Sequence, residues 1–338
     1  MWLFYIREMR YSLIIPVYNR PNEVDELLRS LSVQKRNDFE VIIVEDGSSV
    51  PCREVVARYQ EALPALYYYE KENSGPGQSR NYGAARSSGE YLIVLDSDVL
   101  VPTGYFEAVD RELASAPADA FGGPDRADDS FTPVQKAISY SMTSFFTTGG
   151  IRGGKKQMDK FYPRSYNMGV RREVYEKLGG FSKMRFGEDI DFSIRIFQNG
   201  YSCRLFPEAW VYHKRRTDFR KFFRQVYNSG IARINLYKIY PDSLKLVHLL
   251  PAVFTVGVCL LLLGSSLTLF SPALLLLYAL LILFDATGKT GSLKIGILSV
   301  MAAFVQLLGY GCGFLSAWWK RCVRGQDEFA AFEKTFYK

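Results

Sequence analysis

The sequence predicts an α/β fold, a doubly wound and mostly parallel sheet. An interfacial amphipathic helix and two to three transmembrane helices are expected to follow it. Three observations carry this expectation. Apolar runs of strand length alternate with helix-like segments from residue 11 to residue 98, a pattern that implies parallel strands joined by right-handed crossovers. Three of the runs end in polar or acidic residues, at Pro16–Asn19, Glu45–Ser48 and Asp96–Asp98. Sheets of this kind bind ligands at the carboxyl ends of their strands. Near residue 240 the composition changes from mixed and charged to long apolar runs.

The elements follow in order. "YSLIIPVYN" (11–19) is a strand closed by Pro and Asn, and "PNEVDELLRSLSVQ" (21–34) has apolar spacing for a helix with Pro in its first turn. "FEVIIVEDGSS" (39–49) is a second strand ending in acids and a Gly turn. Residues 51–62 read as a helix and "ALYYYE" as a strand. "NSGPGQSRNYGAARSSG" gives a Gly-rich loop and a short helix, and "EYLIVLDSD" is the next strand. Further on, Gly187 precedes Glu188 and Asp189. These open a helix with Ile190, Ile194 and Phe197 on one side. Acids in a first turn suit the helix macrodipole, which is their structural explanation. Asp191 and Arg195 are an i,i+4 pair of structural character. "CRLFPEAWVYH" gives two short strands, the second ending at His213. The chain has two histidines. A lone one after an apolar strand is more often structural than a ligand, unless other metal ligands converge on it.

Two aspartates one residue apart, Asp96 and Asp98, close an apolar strand. Helix capping accounts for one of them. A divalent cation with an anionic substrate behind it accounts for both. The net charge of +7 suits an anionic partner such as a nucleotide, an acidic lipid surface or a nucleic acid. The basic residues, however, gather beside the membrane segment, so no nucleic-acid partner is expected. No G-x-G-x-x-G follows the first strand and no G-x-x-x-x-G-K-[ST] occurs, which disfavours a dinucleotide-binding enzyme and a P-loop ATPase. The five cysteines are scattered and no zinc spacing appears. A disulfide framework is therefore not expected, and a reducing compartment is. The apolar N-terminus is too short for a signal peptide, and Met9 is an alternative start.

The segments "SLIIPVYNRPNEV", "VIIVEDGSS", "GPGQSRNYGAARSSGEYLIVLDSDV", "GGF…FGEDIDFSIRI" and "AWVYH", in this order, resemble a family 2 glycosyltransferase with the GT-A fold, over roughly residues 11–230. The resemblance implies that Asp98 holds Mg2+ or Mn2+ against the diphosphate of a nucleotide-sugar, and that Asp96 lies near the ribose or the metal. It implies that Asp46 contacts the nucleobase with Glu45 beside it. Many relatives carry Asp where this chain has Glu45. Pro16, Tyr18 and Asn19 would line the base pocket. Arg80 would face the base or diphosphate, a solvated helix cation being the structural alternative. Asp189 matches the catalytic base of an inverting transfer, which takes the acceptor hydroxyl's proton. Glu188 would orient the acceptor or the base. His213 stands where many relatives place a further metal ligand.

The implied activity moves a sugar from a nucleotide donor, expected to be UDP-linked, to a lipid-linked or surface-glycan acceptor. A polyprenyl-phosphate sugar synthase and, in another class, an inactive membrane-tethered nucleotide-sugar sensor are the alternatives. Processive synthases of the family carry Q-x-x-R-W in a comparable helix; "RQVYNSG" here speaks against processive polymerisation.

The expected organisation is a transferase domain over 1–216, an amphipathic helix over 217–240, a membrane region over 241–320 and a polar tail over 321–338. Phe219, Phe222, Phe223, Val226, Tyr227, Ile231 and Ile234 share one helical stripe, with Arg220, Lys221, Arg224 and Arg233 elsewhere. This reads as a helix lying on an anionic leaflet, with packing against the first domain as the alternative. Runs 246–264 and 295–319 are long enough to span a bilayer, and 267–284 is borderline. Lys238 and Lys245 favour a cytoplasmic first domain at an inner membrane. "WWKRCVR" after the last run would stay inside with two crossings and fall outside with three.

Overall fold

Residues Tyr11 to Ile15 are fully buried, as a strand covered on both faces of a parallel sheet must be. The computed structural model describes residues 9–126, 131–148, 161–214, 216–264 and 270–327. Residues 1–8 and most of the expected polar tail lie outside the described residues. The chain divides into two compact units. The first is 1–126 with 158–213, and the second is 127–157 with 214–338. Segment 127–157, inside the span expected for the first domain, thus groups with the second unit.

In the first unit β1 (Tyr11–Val17), α1 (Pro21–Ser32), β2 (Phe39–Asp46), α2 (Arg53–Ala57), β3 (Leu66–Lys71), α3 (Pro76–Ala84) and β4 (Tyr91–Leu95) alternate as expected. β1 pairs in parallel with β2 and β4, and β2 with β3. Then come β5 (Val99–Leu100), α4 (Tyr105–Ser115), β6 (Ala120–Gly122) and β7 (Asp125–Arg126). Helices α5 (Pro133–Thr143) and α6 (Phe145–Thr148) belong to the second unit. The first unit resumes with β8 (Asn167–Arg171), α7 (Arg172–Lys177), α8 (Glu188–Gln198), β9 (Cys203–Leu205) and β10 (Val211–His213). The main sheet runs β3-β2-β1-β4-β8-β6-β9, and a small sheet runs β5-β10-β7. β8 is antiparallel to both β4 and β6.

Alternation along β1 sends Leu13 and Ile15 into one core with Leu27, Leu28 and Phe106. Ile14 goes into the other with Val174 and Phe192. Helices therefore cover both faces, as the doubly wound reading required. The order β3-β2-β1-β4 reverses direction between β1 and β4. That switch point opens a crevice at the carboxyl ends of the strands. The helix expected over 51–62 is shorter, Arg53–Ala57. The chain then passes through tight turns to buried Leu63, whose helical conformation Pro64 disfavours.

The second unit adds α9 (Phe219–Ile239), a 3-10 turn (Pro241–Ser243), α10 (Leu246–Gly264), α11 (Phe270–Thr290), α12 (Leu293–Trp318) and a π-helical turn (Trp319–Val323). Among the described residues, three helices are long and apolar enough to cross a membrane, over Leu246–Gly264, Pro272–Thr290 and Leu293–Val323. The borderline middle run thus qualifies. Its Asp285 is matched by Lys289 at 2.8 Å and by the Tyr140 hydroxyl at 2.6 Å.

The three do not simply alternate in direction. Ala252 near the start of α10 packs with Phe314 and Ala317 near the end of α12. A side chain at Gly296, near the start of α12, would meet Thr287 near the end of α11. So α12 runs antiparallel to both α10 and α11. The basic residues before α10 and after α12 consequently share one end of the unit, which the positive-inside tendency favours.

Part of the apolar stripe of α9 is buried against helices of its own unit, while Phe223 stays exposed. Phe222 and Val226 are buried with Ile138 of α5 and Ala302 of α12. The physical reason is a glycine seam. Gly230 faces the Tyr310 carbonyl and Gly313 faces the Tyr227 carbonyl, each where a Cβ would come within 2.2 Å. Backbones approach this closely only where side chains are absent. Gly313→Val is therefore expected to lose about 3 kcal/mol, the upper end for overpacking. Thermal unfolding in detergent checks this, and an unchanged midpoint would refute the seam.

Candidate active site

The small sheet builds the first part of the site. β10 pairs antiparallel with β5, setting His213 opposite Val99, the residue after Asp98. It also pairs in parallel with β7, setting Val211 opposite Asp125. One ligand atom from each of Asp96, Asp98 and His213 lies within 4.8 Å of the others. His213 Nε2 is 3.2 Å from Asp98 Oδ1, and its Nδ1 is 3.9 Å from Asp125 Oδ2. Tyr166 stacks on the imidazole with ring centres 4.9 Å apart, and its hydroxyl donates to Asp125 at 3.2 Å. The His213 ring is thus held from two sides. Arg20 Nη1 donates to the other Asp98 oxygen.

The ends of β1, β2 and β3 make the second part. Asp46 is buried and accepts from Lys71 Nζ at 2.6 Å and from the backbone N–H groups of Ser74 and Gly75, both at 2.9 Å. It thereby fixes the Gly-rich loop that enters α3. Glu45 is also buried, and its carboxylate is occupied within the fold. It accepts from Ser48, from the Cys52 N–H at 2.8 Å and from the Tyr68 hydroxyl at 3.2 Å. Asn19 has φ +54° and accepts through Oδ1 from Ser49 and from the Val50 N–H at 2.9 Å. It ties the loop after β1 to the loop after β2. Pro16 and Tyr18 flank it, both half-buried.

The third part opens α8. Gly187 caps the helix with φ +90°, a left-handed conformation that glycine adopts without strain. Glu188 and Asp189 follow at once, and both are buried. Arg80 is no solvated cation. At 3% exposure it reaches Glu188 Oε1 at 2.8 Å and Asp96 Oδ1 at 3.1 Å. Burial pushes the Glu188 carboxyl above the usual carboxylate range, while Arg80 works in the opposite direction. Asp189 accepts from the Ile190 N–H at 2.9 Å and from Arg164 Nε at 3.0 Å. Asp191 pairs with Arg195, which also donates to the carbonyls of Leu178 and Gly180, in keeping with a structural pair.

Asp96, Asp98 and His213 therefore meet, and Arg80 joins them to Glu188 beside Asp189. Asp46 sits apart with the loop before α3. Arg20, Lys71, Arg164, Tyr166 and Asp125 were not singled out from the sequence. Lys71 had a signal only in that it directly follows the strand run "ALYYYE". Arg20 follows Asn19 directly. Arg164 and Tyr166 precede β8 in a loop with no motif.

Comparison with known proteins gives a consistent result. The family model described as glycosyl transferase family 2 matches residues 12–179. An uncharacterized glycosyltransferase of Haemophilus influenzae is 30% identical over 194 residues, covering 55% of this chain and 62% of the relative. One of Rickettsia bellii is 39% identical over 95 residues, 28% of this chain and 14% of that protein. The chain thus spans less than two thirds of the length of these relatives. Glycosyltransferase AglE of Haloferax volcanii is 25% identical over 250 residues, 73% of this chain and 80% of AglE. Among solved structures, the mannosyltransferase PcManGT from Pyrobaculum calidifontis, in complex with GDP-Man and Mn2+, superposes with a TM-score of 0.63. It is 21% identical and covers 88% of this chain and 87% of its own. The first 349 residues of S. aureus TarS give 0.50 at 17% identity, covering 95% and 93%. These two show the same fold, and the match over residues 12–179 identifies that segment as a glycosyl transferase family 2 domain.

Proposed function

We propose that the chain is an inverting, metal-dependent glycosyltransferase. It would move a sugar from a nucleotide-sugar, read as UDP-linked, to a hydroxyl of a lipid-linked or cell-surface glycan acceptor. The observation that carries this reading is one continuous constellation, Asp98–His213–Asp96–Arg80–Glu188, with Asp189 at its end. It joins candidate diphosphate-side ligands to a candidate base.

The donor set fits a divalent cation. Two carboxylates and an imidazole converge from one side, a mixture that suits Mn2+ better than the all-oxygen preference of Mg2+. When bound, such a cation would offset charge on the leaving diphosphate. Asp96, Asp98 and His213 would hold it. Asp46 and Lys71 would shape the nucleobase end, with Pro16, Tyr18 and Asn19 along its wall. Glu45 supports that wall from behind, because its oxygens already accept from Ser48, Cys52 and Tyr68. Asp189, oriented by Arg164, would receive the acceptor proton while the bond to the diphosphate breaks on the opposite face. Glu188 and Arg80 would keep the two ends in register.

The three apolar helices support a membrane-associated protein. An inner membrane with the catalytic unit on the cytoplasmic side is our reading of Lys238 and Lys245. The test is hydrolysis and transfer by the purified full chain over a panel of UDP-, GDP- and dTDP-sugars, with Mn2+, with Mg2+ and with a chelator. One donor turned over with Mn2+ and silent with chelator is expected. Binding without turnover across the panel would favour the sensor.

A further inference from the structure

An ion pair spans the crevice at the switch point. Strands β1 and β4 lie side by side in parallel. The chain leaving their carboxyl ends carries Arg20 on one side and Asp98 on the other. Arg20 Nη1 donates to Asp98 Oδ2 across 78 positions. The other Asp98 oxygen faces His213 Nε2 at 3.2 Å. A ligand entering where such sheets bind ligands therefore meets this pair.

The Arg20 backbone is pinned from both sides. Asn19 before it is tied to the loop after β2 through Ser49 and the Val50 N–H. Pro21 after it opens α1 and restricts the conformation of the residue it follows. The side chain is less confined. It is 30% exposed, against 9% for that of Asp98. A guanidinium carries five N–H donors, and Asp98 engages only its Nη1. Arg80 makes the contrast. Its side chain is 4% exposed and is held by two carboxylates, Asp96 and Glu188. Freeing Arg80 from both would strand a buried charge. Freeing Arg20 from its one carboxylate hands a partly exposed charge to water or to a new anion, at little cost. Between these two arginines, Arg20 is the one able to move.

A divalent cation taken up by Asp98 would set two positive charges against the guanidinium already there, and like charges this close repel. A diphosphate reverses the balance, because its anionic oxygens can be shared by the cation and by an arginine. We propose that Arg20 is an exchangeable counter-ion of this site. It neutralises Asp98 until a cation arrives, then turns its guanidinium to a diphosphate oxygen of the incoming nucleotide. Arg20 thus opposes the cation alone and supports the cation with its nucleotide, which couples the two binding events. The inference rests on the reading of Asp98 as a metal ligand, and it adds a role for Arg20 that this reading leaves out.

The test titrates the full chain in detergent twice. The first titration uses Mn2+ alone, read from the spin-resonance signal of the free ion. The second uses a nucleoside diphosphate at saturating Mn2+, read by calorimetry, with whichever of UDP, GDP and dTDP the wild type binds tightest. Arg20→Gln should move the two affinities in opposite directions. Mn2+ alone should bind about fivefold tighter, the scale of one partly exposed ion pair. The nucleotide should bind roughly tenfold weaker or more, the scale of a hydrogen bond to a charged group. Arg20→Met, also neutral, should repeat both shifts, and Arg20→Lys should restore part of the nucleotide affinity. Thermal unfolding establishes that the variants fold. A purely structural Arg20 would steady Asp98, so its loss would weaken Mn2+ binding, and that result would overturn the proposal. An unchanged affinity for Mn2+ alone, or for the nucleotide, would overturn it too. A wild type that binds neither Mn2+ nor any of the three nucleotides would overturn the transferase reading along with it.

Discussion

Asp98→Asn is expected to lower transfer by roughly 10³-fold or more, since a catalytic cation supplies several kcal/mol of charge stabilisation. It should also abolish the Mn2+-dependent part of nucleoside diphosphate binding. The substitution keeps the shape of the side chain and removes its charge. Asp98 is where the site concentrates its contacts, with His213 Nε2 at 3.2 Å on one oxygen and Arg20 on the other. An amide cannot satisfy both donors and also ligate a cation well. Arg20 and His213 then face a neutral group. The sheet beneath does not depend on this side chain, because the β4 backbone is paired with β1 and β8. Circular dichroism should therefore be unchanged. Calorimetric titration with and without Mn2+ is the measurement. Full metal-dependent binding by the variant would refute Asp98 as a ligand.

Asp189→Asn separates binding from chemistry. Transfer to a hydroxyl acceptor should fall by roughly 10²- to 10⁴-fold, the scale of a positioned acid or base. Donor affinity should stay within about twofold, since the donor-side side chains are other residues. Asparagine can still accept from the Ile190 N–H through its one oxygen while the Arg164 contact is lost, so the first turn of α8 should persist. Glu188→Gln is a different experiment. It leaves the buried Arg80 with a weaker partner and should reduce stability along with rate. Asp191→Asn is the control, as Asp191 engages Arg195 on the far side of the helix start. Normal transfer by Asp189→Asn would place the base elsewhere. It would also revive the polyprenyl-phosphate synthase, whose acceptor is already an anion and needs no base. A single-turnover assay beside equilibrium binding distinguishes these outcomes.

The parallel half of the sheet was legible because burial on both faces forces near-continuous apolar runs, as in β1, β2 and β4. β8 was not. Its five residues include Asn167, whose side chain meets the Tyr105 hydroxyl and the Ala209 carbonyl, and they show no apolar run. The acids of the site were visible as strand-end residues. Their cationic partners were not. Arg80 reaches Glu188 across 108 positions and Arg20 reaches Asp98 across 78, and no local pattern encodes such a pairing. The α9 stripe was read correctly as apolar. Its packing against α12 was not foreseen, since Gly313, which meets α9 at Tyr227, lies more than eighty residues further along the chain.

Arg80 also constrains how this sequence can drift. It is buried and paired with two carboxylates, Asp96 and Glu188. Losing either one leaves this buried cation with a single carboxylate, and losing both would strand it away from water. Positions 80, 96 and 188 are therefore expected to change together. A lineage that abandons the chemistry should exchange all three for neutral residues within a short interval. One that keeps the chemistry should tolerate change at none of them singly. An ancestor with two of the three would be rarer than one with all or none.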